Sequence, residues 1–578
     1  MQKRINFFKD YLIEKYGEAL YRIPLDLNTS CPNRDEKGKG GCSFCSEHGA
    51  RSMQTMHSTS LAEQVTDSLK FAKKRYGAKQ FMLYIQAFSA NFQPENIAIY
   101  DKLLTDKFKA ISFGTRPDCL NKSAYSYLQQ LNKKTDVWVE LGVQTVHDKT
   151  LKLINRGHNF NCSKNAIKKL NKIGVNVAAH VIIGLPGESM SKMIQTAKTL
   201  SKLPIKAIKI HNLHVLKNTK LAEDYKIKPF PTLNEYEYVD VLVAFLKNLR
   251  PDIYIIRMTT ESLEGTVIAP KWKMNKSHFR EYVLRKMAFE DAYQGDIFSK
   301  KNKPELLTEK STLDGSITFW SEDFKEHYHD KAGAMLEAKS KFLNQALLDK
   351  KDNIKILDIC FGLGYNSLVS MEYALKNKKK IEITALEIDK RVVRNASKVL
   401  NYGTSFNWKT CLKKLSIKGK YSKNNVSLSV LWGDARHQIT KLENNYFDVV
   451  YLDAFSSQHN SELWTLDFFK KIKKVIKKDG VLLTYSSAIP VRHALKLAGF
   501  FVGETPPVAR ERGNTIASLD KTKISTPIPA TDLAFFNTTR GVVYRDPFNI
   551  WPNKEILRKR EISIKELKAK LIDSNEKS

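Results

Sequence analysis

Two separate runs of strand-like and helix-like segments do most to limit what this chain can fold into. Over residues 1–300 the apolar stretches FMLYIQAFS, AISFGT, VWVELGVQT, VNVAAHVIIG, AIKIHNL and IYIIRM alternate with amphipathic stretches such as SLAEQVTDSLKFAKKRYG and CSKNAIKKLNKIG. Apolar strands joined by helix-length connections pair in parallel, because a long crossover is what returns a chain to the same end of a sheet. The stretch SKKNKPELLTEKSTLDGS, Ser299–Ser316, is polar and broken by Pro and Gly, and it carries the predicted linker, residues 301–312. The alternation then restarts with NIKILDICFGLG, IEITALEID, VSLSVLWGDA, FDVVYLDAF and GVLLTYSS. The chain is therefore expected to be α/β, with a first domain over 1–300, a second over 313–545 and a charged helical tail over 546–578.

A length of 578 residues agrees with more than one core. The hydrophobic fraction of 42% supports packed cores and excludes wholesale disorder. No apolar run reaches the roughly 18–20 residues of a membrane span. The opening MQKRINFFKDYLIEKYGEAL has no signal-peptide core. No membrane partner and a cytoplasmic setting are expected. Seven cysteines, an odd number, do not read as a disulfide framework. The formal net charge of +34 fits a polyanionic partner, nucleic acid before a membrane surface, although a lysine bias spread along the chain is the plain alternative.

Three cysteines, Cys31, Cys42 and Cys45, fall within TSCPNRDEKGKGGCSFCSEHG, Thr29–Gly49. Two chemistries fit this spacing. Structural zinc takes four ligands, and His48 stands where a fourth is needed. A 4Fe–4S cluster held by three cysteines leaves one iron open to a ligand. Spacing alone does not separate them, but position favours the cluster. The triplet follows LYRIPLDLNTSC at the start of the β/α array, and strand C-terminal ends carry the chemistry in such folds.

With Phe44 between the paired cysteines, the loop resembles that of the radical S-adenosylmethionine (SAM) enzymes. The wide first gap departs from the commonest spacing. It is similar to the YhcC/YtqA-like family and to the catalytic subunit of Elongator. The stretches YIQAFSANF, GTRPDCL, VELGVQT, INRGH, HVIIGLPGE and KIHNLHV extend the resemblance over nearly all of residues 1–300. It implies a partial (β/α) radical SAM barrel in which Cys31, Cys42 and Cys45 hold a 4Fe–4S cluster. The open iron would chelate SAM, and one electron, from a donor such as flavodoxin or ferredoxin, would split the sulfonium. Within that resemblance Glu140, at the end of a predicted strand, and Gln86 are candidates for the ribose or amino group of SAM. A strand-end salt bridge is the plain reading of Glu140. The GLPGE turn, Gly184–Glu188, with Gly184, Pro186 and Gly187, would approach the adenine, although glycine and proline also suit an ordinary turn. Arg116, His158, His180 and His211 are candidate substrate contacts, each also readable as structural. Cys119 and Cys162 read as plain buried thiols.

In the second half, an apolar strand in KILDICFGLGYNS ends in a turn with Gly362 and Gly364, which lets backbone approach a nucleotide-like ligand. Glu387 follows Gly364 by 23 residues at the next strand end, the place of a ribose-hydroxyl acceptor. GDAR puts Asp434 at a third strand end, suited to an adenine amino group. Exposed loop acids are the alternative for both.

The stretches LDGSITFWSEDFKEHYHDKAGAMLEA, CFGLGYN, LDAFSSQHNSELWT and ARERGNTIAS then resemble the methyltransferase domain of the MnmC/MnmD family, over residues 304–545. That resemblance implies a Rossmann-like class I methyltransferase domain with its own SAM site. The family N-methylates 5-aminomethyl-2-thiouridine at the tRNA wobble position to 5-methylaminomethyl-2-thiouridine. Asp453 is the candidate catalytic residue, accepting the amine proton or orienting its lone pair, with a helix cap as its alternative role. Tyr328 and Trp464 are candidates to stack on the base, and core packing is the alternative for each. Arg510 and Arg512 are candidate phosphate contacts. No second glycine-rich module for FAD follows, which departs from MnmC.

The expectation is a bifunctional enzyme of tRNA wobble-uridine modification, with two SAM sites, one cluster and the tRNA anticodon loop as partner. The alternatives are the same two activities on a protein or small metabolite, and a non-catalytic zinc-containing RNA-binding protein.

Overall fold

The computed structural model describes residues 3–27, 29, 31–35, 39–46, 49, 60–86, 89, 92–262, 265–298, 307–400, 402–508 and 511–575. The chain divides into two compact units. One comprises Met1–Trp272 with Ala292–Lys301, the other Lys273–Asp291 with Asn302–Ser578.

In the first unit seven strands lie side by side in chain order among the described residues. They are β1 (Tyr21–Leu25), β2 (Phe81–Ile85), β3 (Phe108–Thr115), β4 (Asp136–Gln144), β5 (Asn176–Ile183), β6 (Ala207–Asn212) and β7 (Tyr254–Arg257), every neighbouring pair parallel. The alternation predicted this parallel β/α array, and the half-barrel is what the family resemblance implied. The first helix, α1 (Phe8–Tyr16), packs Phe8, Tyr11 and Leu12 against Met82, Ala110, Trp138, Ala178 and Ala207. Phe8 meets the Trp138 ring edge-on, with centroids 4.8 Å apart. Side chains on a strand alternate faces, so the residues two and four positions further along share the face of this apolar floor. They are Tyr84, Ser112, Glu140, His180 and Lys209, and then Gln86, Gly114, Gly142 and His211. The interior thus changes from apolar to polar toward the C-terminal ends of the strands.

The second unit is built on an eight-stranded sheet among the described residues. Its strands are β8 (Asn353–Ile359), β9 (Lys380–Glu387), β10 (Lys420–Lys423), β11 (Val426–Trp432), β12 (Phe447–Leu452), β13 (Ile476–Thr484), β14 (Phe501–Glu504) and β15 (Thr515–Ser518), in spatial order β10-β11-β9-β8-β12-β13-β15-β14. The five central strands run parallel and the outer ones antiparallel. From β8 the chain moves first toward β9 and β11, then crosses to β12 and β13. Open α/β sheets bind ligands at such a reversal, outside the carboxyl ends of the strands. Hydrophobic clusters cover both faces, one including Ile356, Val449 and Leu483 and the other Leu357, Val450 and Leu482. Alternate residues of the same strands feed the two clusters, as a sheet covered on both sides requires.

A small antiparallel sheet, Leu307–Ser311, Ile317–Ser321 and Glu326–His327, precedes β8. The helix α2 (Lys276–Phe289) is also part of this second unit. Asn275 caps it by accepting from the His278 N–H, and its buried residues Phe279, Val283 and Met287 recur every four positions, the spacing of one helix face.

Candidate functional site

In the first unit the cysteine loop meets the motif Ile154–His158. The Ser43 N–H donates to the Ile154 carbonyl at 3.0 Å. Asn155 Nδ2 donates to the Gly41 carbonyl at 2.8 Å, and Asn33 Nδ2 to the Asn155 carbonyl at 2.7 Å. Phe44 packs against a core cluster that includes Ile154, Leu185 and Leu213. Guanidinium groups face the sulfurs: Arg156 Nη1 donates to Cys42 Sγ at 3.3 Å and Arg34 Nη2 to Cys45 Sγ at 3.5 Å. Arg116 Nη1 reaches Cys42 Sγ at 3.9 Å, while its other nitrogens bind Asp118 at 2.9 and 2.7 Å. Burial pushes the Cys45 thiol up, against the pull of Arg34, and Cys42 and Cys31 raise it further.

The three thiols therefore share one electrostatic neighbourhood. No three His, Cys, Asp or Glu groups are closed to metal-ligand distances among the described residues. Three soft sulfur donors faced by guanidinium groups suit an anionic iron–sulfur cluster, whose charge and potential depend on N–H groups directed at sulfur. His48, the candidate fourth zinc ligand, lies outside the described residues.

Below this loop Gly142 permits the approach of Arg156, which donates through Nη2 to the Gly142 carbonyl at 2.7 Å. A β-carbon on Gly142 would come within 2.5 Å of that nitrogen. Gln86 lies just past β2, with its N–H on the Leu25 carbonyl at 3.0 Å and its Cα beside Gly114. It is thus at the rim, as strand order implies.

Glu140 is placed differently from its expected position at a strand end. It lies inside β4, buried, paired with Arg22 at 2.5 Å and Lys209 at 3.1 Å, and it accepts from the Tyr84 hydroxyl at 2.6 Å. Burial works to raise its pKa. Arg22 and Lys209 overcome this and hold the carboxyl far below its usual range. The salt-bridge alternative describes what this carboxylate does within the unit. Lys209 is pushed down to about 8, by burial first and against the attraction of Glu140. His180 and His211 lie close by, with rings 4.1 Å apart, and burial drives His180 down to about 3. The Nε2 atoms of His158, His180 and His211 are buried without a hydrogen-bond partner among the described residues. The turn after β5 places Gly184 against Leu233 and Leu213, and the Gly187 carbonyl accepts from Lys192 Nζ at 3.0 Å. Pro186 is half-buried between them.

In the second unit a cavity of about 400 Å³ opens at the strand ends. Three predicted acids line it, Glu387 from β9, Asp434 after β11 and Asp453 after β12, together with Gly362 and Tyr328. The glycine turn has a steric cause. Gly364 has φ +92°, and a β-carbon there would meet the Phe361 ring at 2.5 Å. Gly362 carries Tyr328 on its open side, 3.3 Å from where a β-carbon would stand. Glu387 accepts from the Gly362 N–H and the Asp389 N–H, each at 2.7 Å. Burial raises its pKa to about 7 against those two donors.

Asp434 is in a bidentate pair with Arg436, at 3.1 and 2.7 Å. Burial acts to raise its carboxyl, and Arg436 more than offsets this. Asp453 accepts from Asn366 Nδ2 at 2.9 Å, and its N–H donates to the Ile359 carbonyl at 3.2 Å. Tyr328 meets Phe455 edge-on at 4.8 Å, and Phe455 stacks on Phe324 at 4.4 Å, which makes an aromatic wall.

The structure does not bring all candidates to this cavity. Trp464 is fully buried behind the wall, with Nε1 donating to the Phe455 carbonyl at 2.8 Å, and its ring belongs to the core. Its packing alternative is the role seen, because an indole this deep cannot stack on an incoming base. Arg512 bonds Asp532 through Nη2 at 2.6 Å to each oxygen, away from the cavity lining. Arg510 lies outside the described residues. Sequence reasoning missed Arg156, Asn366, Glu326 and Arg285. Arg156 stands in the quoted INRGH stretch, and Asn366 follows the glycine turn. Nothing local marks Glu326, whose Oε2 accepts from the Ser456 N–H at 2.9 Å, or Arg285.

Comparison with known proteins gives matches along much of the chain. Residues 30–200 match the radical SAM superfamily, residues 205–288 the radical SAM C-terminal domain, and residues 404–520 an S-adenosyl-L-methionine-dependent methyltransferase family. The uncharacterized protein YtqA of Bacillus subtilis is 33% identical over 310 residues, 53% of this chain and 96% of that protein. The tRNA 5-methylaminomethyl-2-thiouridine biosynthesis bifunctional protein MnmC of Campylobacter concisus is 28% identical over 220 residues, 36% of this chain and 34% of that protein. The tRNA uridine(34) acetyltransferase of Methanocaldococcus infernus is 30% identical over 182 residues, 31% of this chain and 33% of that protein. The cysteine loop on a parallel half-barrel and the near-complete coverage of YtqA lead to one conclusion: the chain belongs to the YtqA-like family of radical SAM enzymes and carries in the same polypeptide a SAM-dependent methyltransferase domain.

Proposed function

We propose that the second unit N-methylates the primary amine of 5-aminomethyl-2-thiouridine at the tRNA wobble position, and that the first unit performs radical chemistry in the same modification pathway. The observation that carries this reading is the meeting of Glu387, Asp434 and Asp453 from three strand ends on one cavity. The net charge of +34 supports a polyanionic substrate, and two of the relatives are named for tRNA uridine modification.

SAM bound in the cavity supplies an electrophilic methyl group. Glu387 would accept the ribose hydroxyls, Asp434 would take the adenine amino group, and the turn at Gly362 and Gly364 would let the cofactor lie close to backbone. Asp453, oriented by Asn366, holds the lone pair of the neutral acceptor amine toward the methyl carbon. Transfer would form the N–C bond and break the S–C bond, and Asp453 or solvent would take the proton of the new ammonium. Positioning supplies most of the rate, and the proton contact adds to it. Tyr328 and Phe455 offer aromatic surface to the uracil.

In the first unit Cys31, Cys42 and Cys45 would hold a 4Fe–4S cluster, which supplies one electron to a second SAM. Arg34 and Arg156 donate to the sulfurs, and Gln86 and the Gly184–Gly187 turn edge the place where that SAM would sit. An electron donor such as flavodoxin or ferredoxin, the tRNA anticodon loop and a cytoplasmic setting complete the reading. No helix among the described residues is long and apolar enough to cross a membrane. Nucleoside analysis of tRNA from a strain lacking the gene tests it. Accumulation of the unmethylated aminomethyl nucleoside is expected, and an unchanged profile sinks the proposal.

A further inference from the structure

The helix α2 (Lys276–Phe289) lies upstream of the methyltransferase match at residues 404–520, and within the stretch that matches the radical SAM C-terminal domain. Yet it belongs to the second unit, and its Arg285 lines the cavity. Its buried stripe fixes the helix, while Arg285 extends from another face to bond Glu462 Oε1 through Nη1 at 2.7 Å. The guanidinium lies 5.4 Å from the centre of the Phe289 ring and 5.3 Å from that of Phe324, the ring that stacks on Phe455. Glu462 is 3% exposed at its side chain and also accepts from Asn460 Nδ2 at 3.0 Å and the Asn553 N–H at 3.1 Å.

Beside this pair stands the second one, Asp434 with Arg436, and Arg436 Nη1 in turn binds Asp546 at 2.8 Å. These five groups carry three negative and two positive charges. Arg285 acts on Asp434 as well as on Glu462, and Glu462 feels both arginines. Removing either cation would widen the excess of buried carboxylates from one to two, which low-dielectric surroundings penalise strongly.

We propose that Arg285 is a positioning residue of the methyltransferase site, anchoring Glu462 in the cavity wall and balancing Asp434 so that its carboxylate is presented to the adenine end of bound SAM. A helix outside the methyltransferase match thus completes that domain's cofactor pocket. The inference rests on the placement of SAM in this cavity given above, and the test separates the two.

The probe is S-adenosylhomocysteine, whose binding needs no acceptor. Binding is measured in the full-length chain with Cys31→Ser, Cys42→Ser and Cys45→Ser, so that the first unit contributes nothing through a cluster. Arg285→Met is expected to weaken binding about tenfold and Arg285→Lys to recover most of it. Because Arg285→Met alone strands the Glu462 charge and lowers stability, the double variant Arg285→Met/Glu462→Gln removes the orphaned carboxylate. It is expected to regain the parent melting temperature while binding stays weak. Recovery of binding together with melting temperature would show a purely structural role and overturn the proposal. If Asp434→Asn weakens binding and Arg285→Met does not, the inference about Arg285 fails while the cofactor placement stands. If the parent itself binds no S-adenosylhomocysteine, the cofactor placement fails and the inference falls with it.

Discussion

Glu140 in the first unit and Glu387 in the second are both buried carboxylates in parallel β/α sheets, and both resemble cofactor acids in sequence. Their surroundings put them to opposite uses. Glu140 is surrounded by Arg22, Lys209 and Tyr84, and its charge is consumed inside the unit. Glu387 meets backbone N–H donors on one side and a cavity on the other, and burial raises its pKa to about 7. Glu140 is thus spent on its cations, whereas Glu387, held up by desolvation at a cavity, has interaction capacity left for a ligand.

The largest expected effect lies on the Glu140 side. Glu140→Ala should cost about 3–5 kcal/mol, because it strands Arg22 and Lys209 without their counter-charge. Chemical denaturation of the full chain would read this as an early transition, and an unchanged profile would break the contrast. The pH dependence has a definite sign. A carboxyl with a depressed folded pKa stabilises above its unfolded value, near 4.5, and loses that contribution as pH falls through the folded pKa. The first unit should therefore be acid-labile, and Glu140→Gln should show a weaker dependence below pH 4.5.

Next comes Asp453. Asp453→Ala should lower kcat for methyl transfer about 10²–10³-fold with the KM for SAM little changed. A comparable loss on replacing Glu387, with KM untouched, would mean that the two acids have exchanged roles.

Glu387→Gln should weaken S-adenosylhomocysteine about tenfold in an equilibrium binding assay, the cost of one charge-assisted acceptor. In the unsubstituted chain affinity should climb as pH rises through about 7, since the free protein holds the Glu387 proton below that value and ribose hydroxyls bind the carboxylate better. Glu387→Gln should flatten the climb. A climb that persists in the variant assigns the proton to another group.

The smallest effect is expected at Trp464. Trp464→Phe removes one bond to the Phe455 carbonyl and should cost about 1–2 kcal/mol in thermal unfolding, with the KM for tRNA unchanged. A raised KM would return this ring to the substrate.

Much of both sites was legible because it is local in the chain. The spacing of Cys31, Cys42 and Cys45, the Gly362–Gly364 turn and the acids Glu387, Asp434 and Asp453 at strand ends all follow from periodicity and turn chemistry over a few residues. Glu140 was read as terminal, although the apolar stretch VWVELGVQT that holds it runs on to Thr145 and the strand to Gln144. Trp464 was ambiguous because an aromatic between polar residues looks alike in a pocket and in a core.

By itself the sequence determined the two α/β units, the strands that carry each site and the kind of donor set each one holds. Those properties depend on neighbours one to four residues apart. Only the tertiary structure decided which buried charges are spent and which are left for a ligand. Lys209 reaches Glu140 across 69 residues, and Arg285 reaches Glu462 across 177. Such meetings are set by strand order and by the face each helix buries. An amphipathic stripe such as Phe279, Val283 and Met287 states that a helix is packed, and not which core it packs on.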